Sequence, residues 1–189
     1  MKRLFAAIKT EPDLVFLQKY SELRAALRHE SIKWVQEQSV HVTLHFFGET
    51  DEQRIPLICK TLKEVAETTN SFMLRLEGLG IFGSVYAPRV IWTGLAPQKE
   101  ILELMKRVKA GLAASGFEID QQNLVPHLTL GRIKMLQDKV LFQRVIERYK
   151  DLSSAGEMAG KMILFESILK PSGPVYTVQQ AFPFKHQSP

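Results

Sequence analysis

Cysteine is almost missing from this chain, with one residue, Cys59, in 189. A lone thiol excludes an internal disulfide framework and any cysteine-based zinc finger, and it fits a reducing compartment. Long apolar runs are missing too. No uninterrupted stretch approaches the roughly 20 residues of a membrane-spanning helix. The first apolar run, in MKRLFAAIKTEPD, ends at Lys9 after about five residues, short of the apolar region of a signal peptide. These absences predict a soluble, cytoplasmic protein. There is no low-complexity segment, no block of like charge and no glycine-rich phosphate loop. Hydrophobic residues make up 45% and charged residues 24%, which is globular composition and excludes a disordered or collagen-like chain. Lys and Arg number 25 against 20 Asp and Glu, a net charge of +5. That excess leans towards polyanionic partners, but only weakly.

What is present alternates between strand and helix signals. Strands are expected over Arg3–Ile8, Ile32–Val35, His41–Phe47, Phe72–Leu79, Arg89–Leu95, His127–Ile133, Lys161–Leu169 and Val175–Phe184. Helices are expected over Asp13–Arg28, with Pro12 in its first turn and Leu14, Leu17, Leu23, Ala26 and Leu27 as its stripe. Further helices are expected from Asp51 to about Thr68, over Lys99–Ala114 with Gly116 as its stop, and over Asp138–Tyr149. The last two strands are joined by Pro171–Ser172–Gly173–Pro174, a turn by composition, and such short connections favour antiparallel pairing. HVTLHFFG at 41–48 is echoed by HLTLGR at 127–132, an offset of 127 − 41 = 86 residues. Each copy is followed by a helix and then strands. At about 100–200 residues per domain, this repeat predicts one α+β domain over residues 1–189. It would be bilobal, its two lobes related by a pseudo-two-fold, with antiparallel sheets lining a central cleft and helices outside. Nothing in the pattern demands a dimer, so a monomer is expected.

The doubled His-x-Thr-Leu carries the chemistry. Side chains on a strand alternate faces. His41 and Thr43 therefore point one way while Val42 and Leu44 point the other, and His127, Thr129, Leu128 and Leu130 repeat the arrangement. Two such strands facing a cleft would place two imidazoles and two hydroxyls around one small volume. In-line displacement at phosphorus needs a base on the attacking oxygen and an acid on the leaving oxygen. Imidazole, with an ordinary pKa of about 6.5, serves in either role near neutral pH. Threonine hydroxyls can donate to the non-bridging oxygens. The residue pattern gives the pair of roles and leaves open which histidine takes which.

A metal is the competing chemistry, and it needs three or four ligands, of which Thr is not a usual one. His45 shares a face with His41 on a regular strand but lies about 13 Å away. No metal and no cofactor is therefore expected. His29 and His186 fall at a helix end and in the tail and are expected to be solvated. Phe46 falls on the Leu44 face and is expected in the core. Phe82, Tyr86 and Trp92 could stack on a nucleobase, with core packing the stronger expectation for Trp92. Arg3 and Lys33 could form part of a basic rim. Strict alternation puts Arg132 on the face opposite His127, and a bulge near Gly131 would return it to the same side.

HVTLHFFGE at 41–49 and HLTLGR at 127–132 resemble the paired signatures of the 2H phosphoesterases. RLFAAI at 3–8, KWVQEQSVHVTLHFFGE at 33–49, RVIWTGL at 89–95 and GPVYTVQQAFPF at 173–184 are similar to the RNA 2′,3′-cyclic phosphodiesterase branch, also called 2′-5′ RNA ligase. The resemblance covers nearly the whole chain. It implies a bilobal fold and, as substrate, RNA or a nucleotide ending in 2′,3′-cyclic phosphate. It implies metal-independent opening of the ring to a 2′-phosphate, with His41 as proton donor to the leaving 3′ oxygen and His127 as acceptor from water. Thr43, Thr129 and Arg132 would bind the phosphate. Run in reverse, the same groups would join 2′-5′ linkages. The rival reading is a binding module that holds RNA ends or a nucleotide in the same cleft without turnover.

Overall fold

Apolar alternation in the strands and apolar stripes on the helices meet in one layered arrangement. The computed structural model describes residues 1–119, 125–171 and 173–185. In chain order the elements are β1 (Lys2–Lys9), α1 (Leu14–Ala26), β2 (Ser31–Trp34), β3 (His41–Thr50), α2 (Ile55–Glu67), β4 (Phe72–Ser84) and β5 (Ala87–Ala96). They continue with α3 (Gln98–Ala114), β6 (Leu128–Met135), α4 (Lys139–Arg148), β7 (Glu157–Ala159), β8 (Lys161–Lys170) and β9 (Gly173–Pro183). The strands follow the order β7-β4-β5-β6-β3-β1-β8-β9, with β2 beside β6, and every named pairing is antiparallel.

The two motif strands each head one half of this path, β6-β5-β4-β7 and β3-β1-β8-β9, and each is reached through a helix from the strand beside it, β1 through α1 to β3 and β5 through α3 to β6. They meet at one pair, Val42 against Leu128. Those two residues are themselves 128 − 42 = 86 positions apart, the offset of the sequence repeat. The pseudo-two-fold axis therefore passes between the two copies of the motif. Helices cover the outer face: α2 and α3 pack on each other, α2 against β9 and β8, and α3 against β3. On the other half, the Tyr20 hydroxyl of α1 bonds the carbonyl oxygens of Val35 and Leu130 at 2.8 and 2.7 Å.

The motif's aliphatic pairs lie under these helices. Val42, Leu44, Leu128 and Leu130 are all buried, and each such side chain stabilises the fold by about 1.5–3 kcal/mol relative to exposure. Helix α3 buries Ile101, Leu104, Met105, Val108 and Leu112, an i, i+3, i+4, i+7, i+11 stripe. Gly116 then ends it in the left-handed region at φ +77°. Among the described residues no helix is long and apolar enough to cross a membrane.

Several expectations need correcting. The buried face of α1 is Phe16, Tyr20, Leu23 and Leu27, whereas Leu14 is 82% exposed. The aromatic pair at i, i+4 buries more apolar area than the leucines, so the helix turns that side inward. Its N-cap is Asp13, which accepts from the Phe16 amide, so Pro12 precedes the helix. The short edge strand β7 carries no alternation signal. Phe46 is 50% exposed, with the Arg3 guanidinium 4.8 Å above its ring. Two register shifts between β1 and β3, leaving Leu44 and Phe47 as extra residues, overturn the simple face alternation beyond Thr43. In the turn between β8 and β9, Lys170 pairs with Gly173; Ser172 of that turn and His186 of the tail lie outside the described residues.

Candidate active site

Because β3 and β6 are antiparallel and paired at Val42–Leu128, His41 faces Thr129 and Thr43 faces His127. Each imidazole thus stands beside the other copy's threonine. The two histidines occupy a cross-strand diagonal, a neighbour spacing of about 7–8 Å. All four side chains line one cleft of about 400 Å³, together with Arg132, Lys33, Lys134, Trp34 and Tyr176.

The two imidazoles are held alike. Nδ1 of His41 lies 2.7 Å from the Ser39 carbonyl oxygen, and Nδ1 of His127 lies 2.8 Å from that of Val125. A carbonyl only accepts, so each Nδ1 carries the hydrogen, and each Nε2 is without a hydrogen-bond partner among the described residues. Each Nε2 takes a proton when its ring is neutral and gives one when its ring is charged. The carbonyl two residues upstream is a backbone feature with no residue signature, so the sequence offered no signal for it.

Aromatic rings flank both histidines. The His41 ring sits 4.8 Å from Phe5 and 5.2 Å, edge-on, from Tyr176. Phe5, Ala7, Ile163 and Phe165 form a small buried cluster beneath it, with Tyr176 packed against them. His127 meets Phe82 edge-on at 4.7 Å, and Phe82 stacks on Trp92 at 5.1 Å. Trp92 is therefore a half-buried wall beside His127. Sequence reasoning missed Phe5 and Tyr176, because only long-range pairing brings β1 and β9 to the motif. Burial by these walls holds both imidazoles below the ordinary value of 6.5; the upstream carbonyls oppose the shift, and the Arg132 guanidinium adds to it.

Arg132 lines the cleft with the motif residues. Between β5 and β6, Ile91 pairs with Gly131 and Trp92 with Thr129, so Leu130 is the extra residue of a bulge. The bulge resets the alternation and brings Arg132 and Lys134 to the face of His127 and Thr129. Lys33 also reaches the cleft, while Arg3 does not, being paired with Glu49 at 3.7 Å. His45 contributes to a separate hollow with Phe46, Phe47, Arg54 and Phe117, His29 is exposed, and Tyr86 sits at the exposed tip of the β4–β5 hairpin. Among the described residues no group of three or more His, Cys, Asp or Glu side chains could hold a metal ion.

Arg132 has a measurable consequence. A guanidinium disfavours the charged imidazole, so its removal raises both histidine pKa values. Arg132→Gln is expected to move both limbs of the pH profile of kcat/KM to higher pH, and to lower the maximum by about tenfold through loss of phosphate binding. A profile that keeps its position at reduced height would mean that the guanidinium does not act on the imidazoles.

Two imidazoles and two hydroxyls line one cleft of an internally duplicated α+β fold, the arrangement expected of a two-histidine phosphoesterase. The sequence matches the LigT-like phosphoesterase family over residues 15–92 and 95–176, one stretch in each half; the chain belongs to that family. It is 34% identical over 152 residues to a protein of Aquifex aeolicus named RNA 2′,3′-cyclic phosphodiesterase, covering 79% of this chain and 80% of that one. A protein of the same name from Methanocaldococcus jannaschii is 32% identical over 177 residues, covering 93% and 97%. Among solved structures, a Thermus thermophilus protein superposes with TM-score 0.78 at 25% identity, covering 98% of this chain and all of that one. E. coli LigT, crystallised with 3′-AMP, shares the fold with TM-score 0.73 at 20% identity over 97% and 98% of the two chains.

Proposed function

We propose that the protein is an RNA 2′,3′-cyclic phosphodiesterase that opens the cyclic end to a 2′-phosphate without a metal. The observation that carries this reading is the pair of carbonyl-fixed imidazoles in one cleft, each with its Nε2 unbonded among the described residues. His127 takes a proton from water as the water oxygen attacks phosphorus. The bond from phosphorus to O3′ breaks, and His41 gives its proton to O3′, leaving a 3′-hydroxyl and a 2′-phosphate. The step leaves His127 charged and His41 neutral, and proton exchange with solvent after product release returns each ring to its starting state. Thr43 and Thr129 donate to the non-bridging oxygens, and Arg132 neutralises the charge that builds there. The order of acid and base follows the family resemblance; the near-symmetry of the two clamps permits either order and makes the reverse reaction, 2′-5′ joining, accessible to the same groups. The whole chain acts as one bilobal unit and as a monomer, in the cytoplasm, where the free thiol of Cys59 is compatible with a reducing milieu.

The decisive experiment is product analysis on a defined RNA with a 2′,3′-cyclic phosphate end, incubated with chelator. A 2′-phosphate product is expected. Tight binding with the ring left intact would instead make the protein a holder of RNA ends, and a 3′-phosphate product would reverse the assigned bond cleavage.

A further inference from the structure

One wall of the cleft carries three cations. Lys33, Arg132 and Lys134 line it, and among the described residues no Asp or Glu does. None of the three enters an ion pair among the described residues. Lys33 and Arg132 are direct cross-strand neighbours on β2 and β6, a juxtaposition of like charges that destabilises a sheet. Lys134 follows Arg132 on the same face, about 7 Å further along the strand. The row starts beside the histidines and leads away from them. The Lys33 ammonium crosses towards the opposite wall, 3.8 Å from where a Cβ on Gly173 of the β8–β9 hairpin would lie. It therefore reaches from the β2 side of the cleft to the β8–β9 side.

A cyclic phosphate end carries one negative charge, and Arg132 answers it. Two cations remain that a mononucleotide leaves unneutralised. An RNA strand leaving the cleft brings a phosphodiester at each further nucleotide, and a positively charged track is how proteins follow such a backbone. We propose that Lys33 and Lys134 hold the phosphodiesters immediately 5′ of the reacting nucleotide, so that the protein selects oligonucleotide ends over free cyclic mononucleotides. This rests on the phosphodiesterase reading and specifies its substrate class. Both lysines are exposed, so their replacement leaves the core packing alone.

The test compares 2′,3′-cyclic AMP with a tetranucleotide ending in 2′,3′-cyclic phosphate, for the wild type, Lys33→Ala, Lys134→Ala and the double variant, over a salt series. The wild type is expected to favour the tetranucleotide at least tenfold in kcat/KM. Each variant narrows that ratio by about threefold to tenfold, through KM, and the double variant removes most of it. The slope of log kcat/KM against log salt for the tetranucleotide becomes shallower by about 0.7 for each lysine replaced. Equal losses on both substrates would show a general positive potential in place of phosphodiester binding, and an unchanged ratio would remove the lysines from substrate selection; either result overturns the proposal. Should the wild type open neither substrate, the phosphodiesterase reading fails separately. The affinities of the same variants for a tetranucleotide ending in 2′-phosphate, measured against 2′-AMP, then decide the role of the lysines by the same ratio.

Discussion

His41→Ala is expected to lower kcat/KM for an RNA ending in 2′,3′-cyclic phosphate by at least ~10²-fold, and His127→Ala by a similar factor. Both rings line the cleft, while the residues beside them in the strands, Val42 and Leu128, supply the packing, so the variants should keep the wild-type circular dichroism spectrum. Acid and base act in one displacement, and the double variant should lose little more than either single one. The two variants differ in pH dependence. Removing the base abolishes the limb that rises as the base loses its proton, so His127→Ala should lose the acid limb. Removing the acid abolishes the limb that falls as the acid loses its proton, so His41→Ala should lose the alkaline limb. Burial and Arg132 hold both imidazoles below 6.5, so the kcat/KM optimum of the wild type should lie on the acid side of that value. Full activity in either single variant would end the two-histidine mechanism, and exchanged limbs would exchange the two roles.

The second large effect is expected at a residue with no side chain. A Cβ on Gly131 would lie 2.9 Å from Cγ2 of Ile32 and 2.9 Å from Cε3 of Trp34. Trp34 is itself packed edge-on to Tyr20 of α1 at 5.9 Å, so the indole has little room to retreat. Gly131→Val should therefore destabilise the protein by about 3 kcal/mol through overpacking, read as a lower urea midpoint. It should also push β2 away from β6 and release the bulge that aims Arg132. The expected result is a loss of tenfold or more in kcat/KM at temperatures where the variant is still folded, with both pH limbs displaced to higher pH as in Arg132→Gln. A folded, destabilised variant with an unmoved pH profile would separate the glycine's packing from the aiming of the arginine.

These two sites show how differently the sequence speaks. The doubled His-x-Thr-Leu is readable because a period of two is a property of any strand, and its aliphatic members need burial wherever the strand lies. The α+β class, the antiparallel strands and the internal duplication follow from the same local patterns. At Phe46 and along α1 the local pattern misled. Parity survives only as far as the ladder is regular, and β3 carries two register shifts within six residues of His41, between the partners of Leu4/Phe5 and Ala6/Ala7. Arg132 is the counterpart. Its side of the sheet depended on one extra residue opposite β5, which Gly131 hinted at but did not specify.

The sequence by itself determined which residues alternate, which are apolar, and that the chain holds two versions of one strand motif. Short-range sterics and burial act on every segment independently of what it meets, so those properties needed no partner. The tertiary structure alone decided that the two copies pair with each other at Val42 and Leu128, that carbonyl oxygens clamp both Nδ1 atoms, and that Phe5, Tyr176 and Phe82 wall the rings. Those features arise between segments far apart along the chain, where the energy belongs to the pairing and no single stretch of residues encodes it.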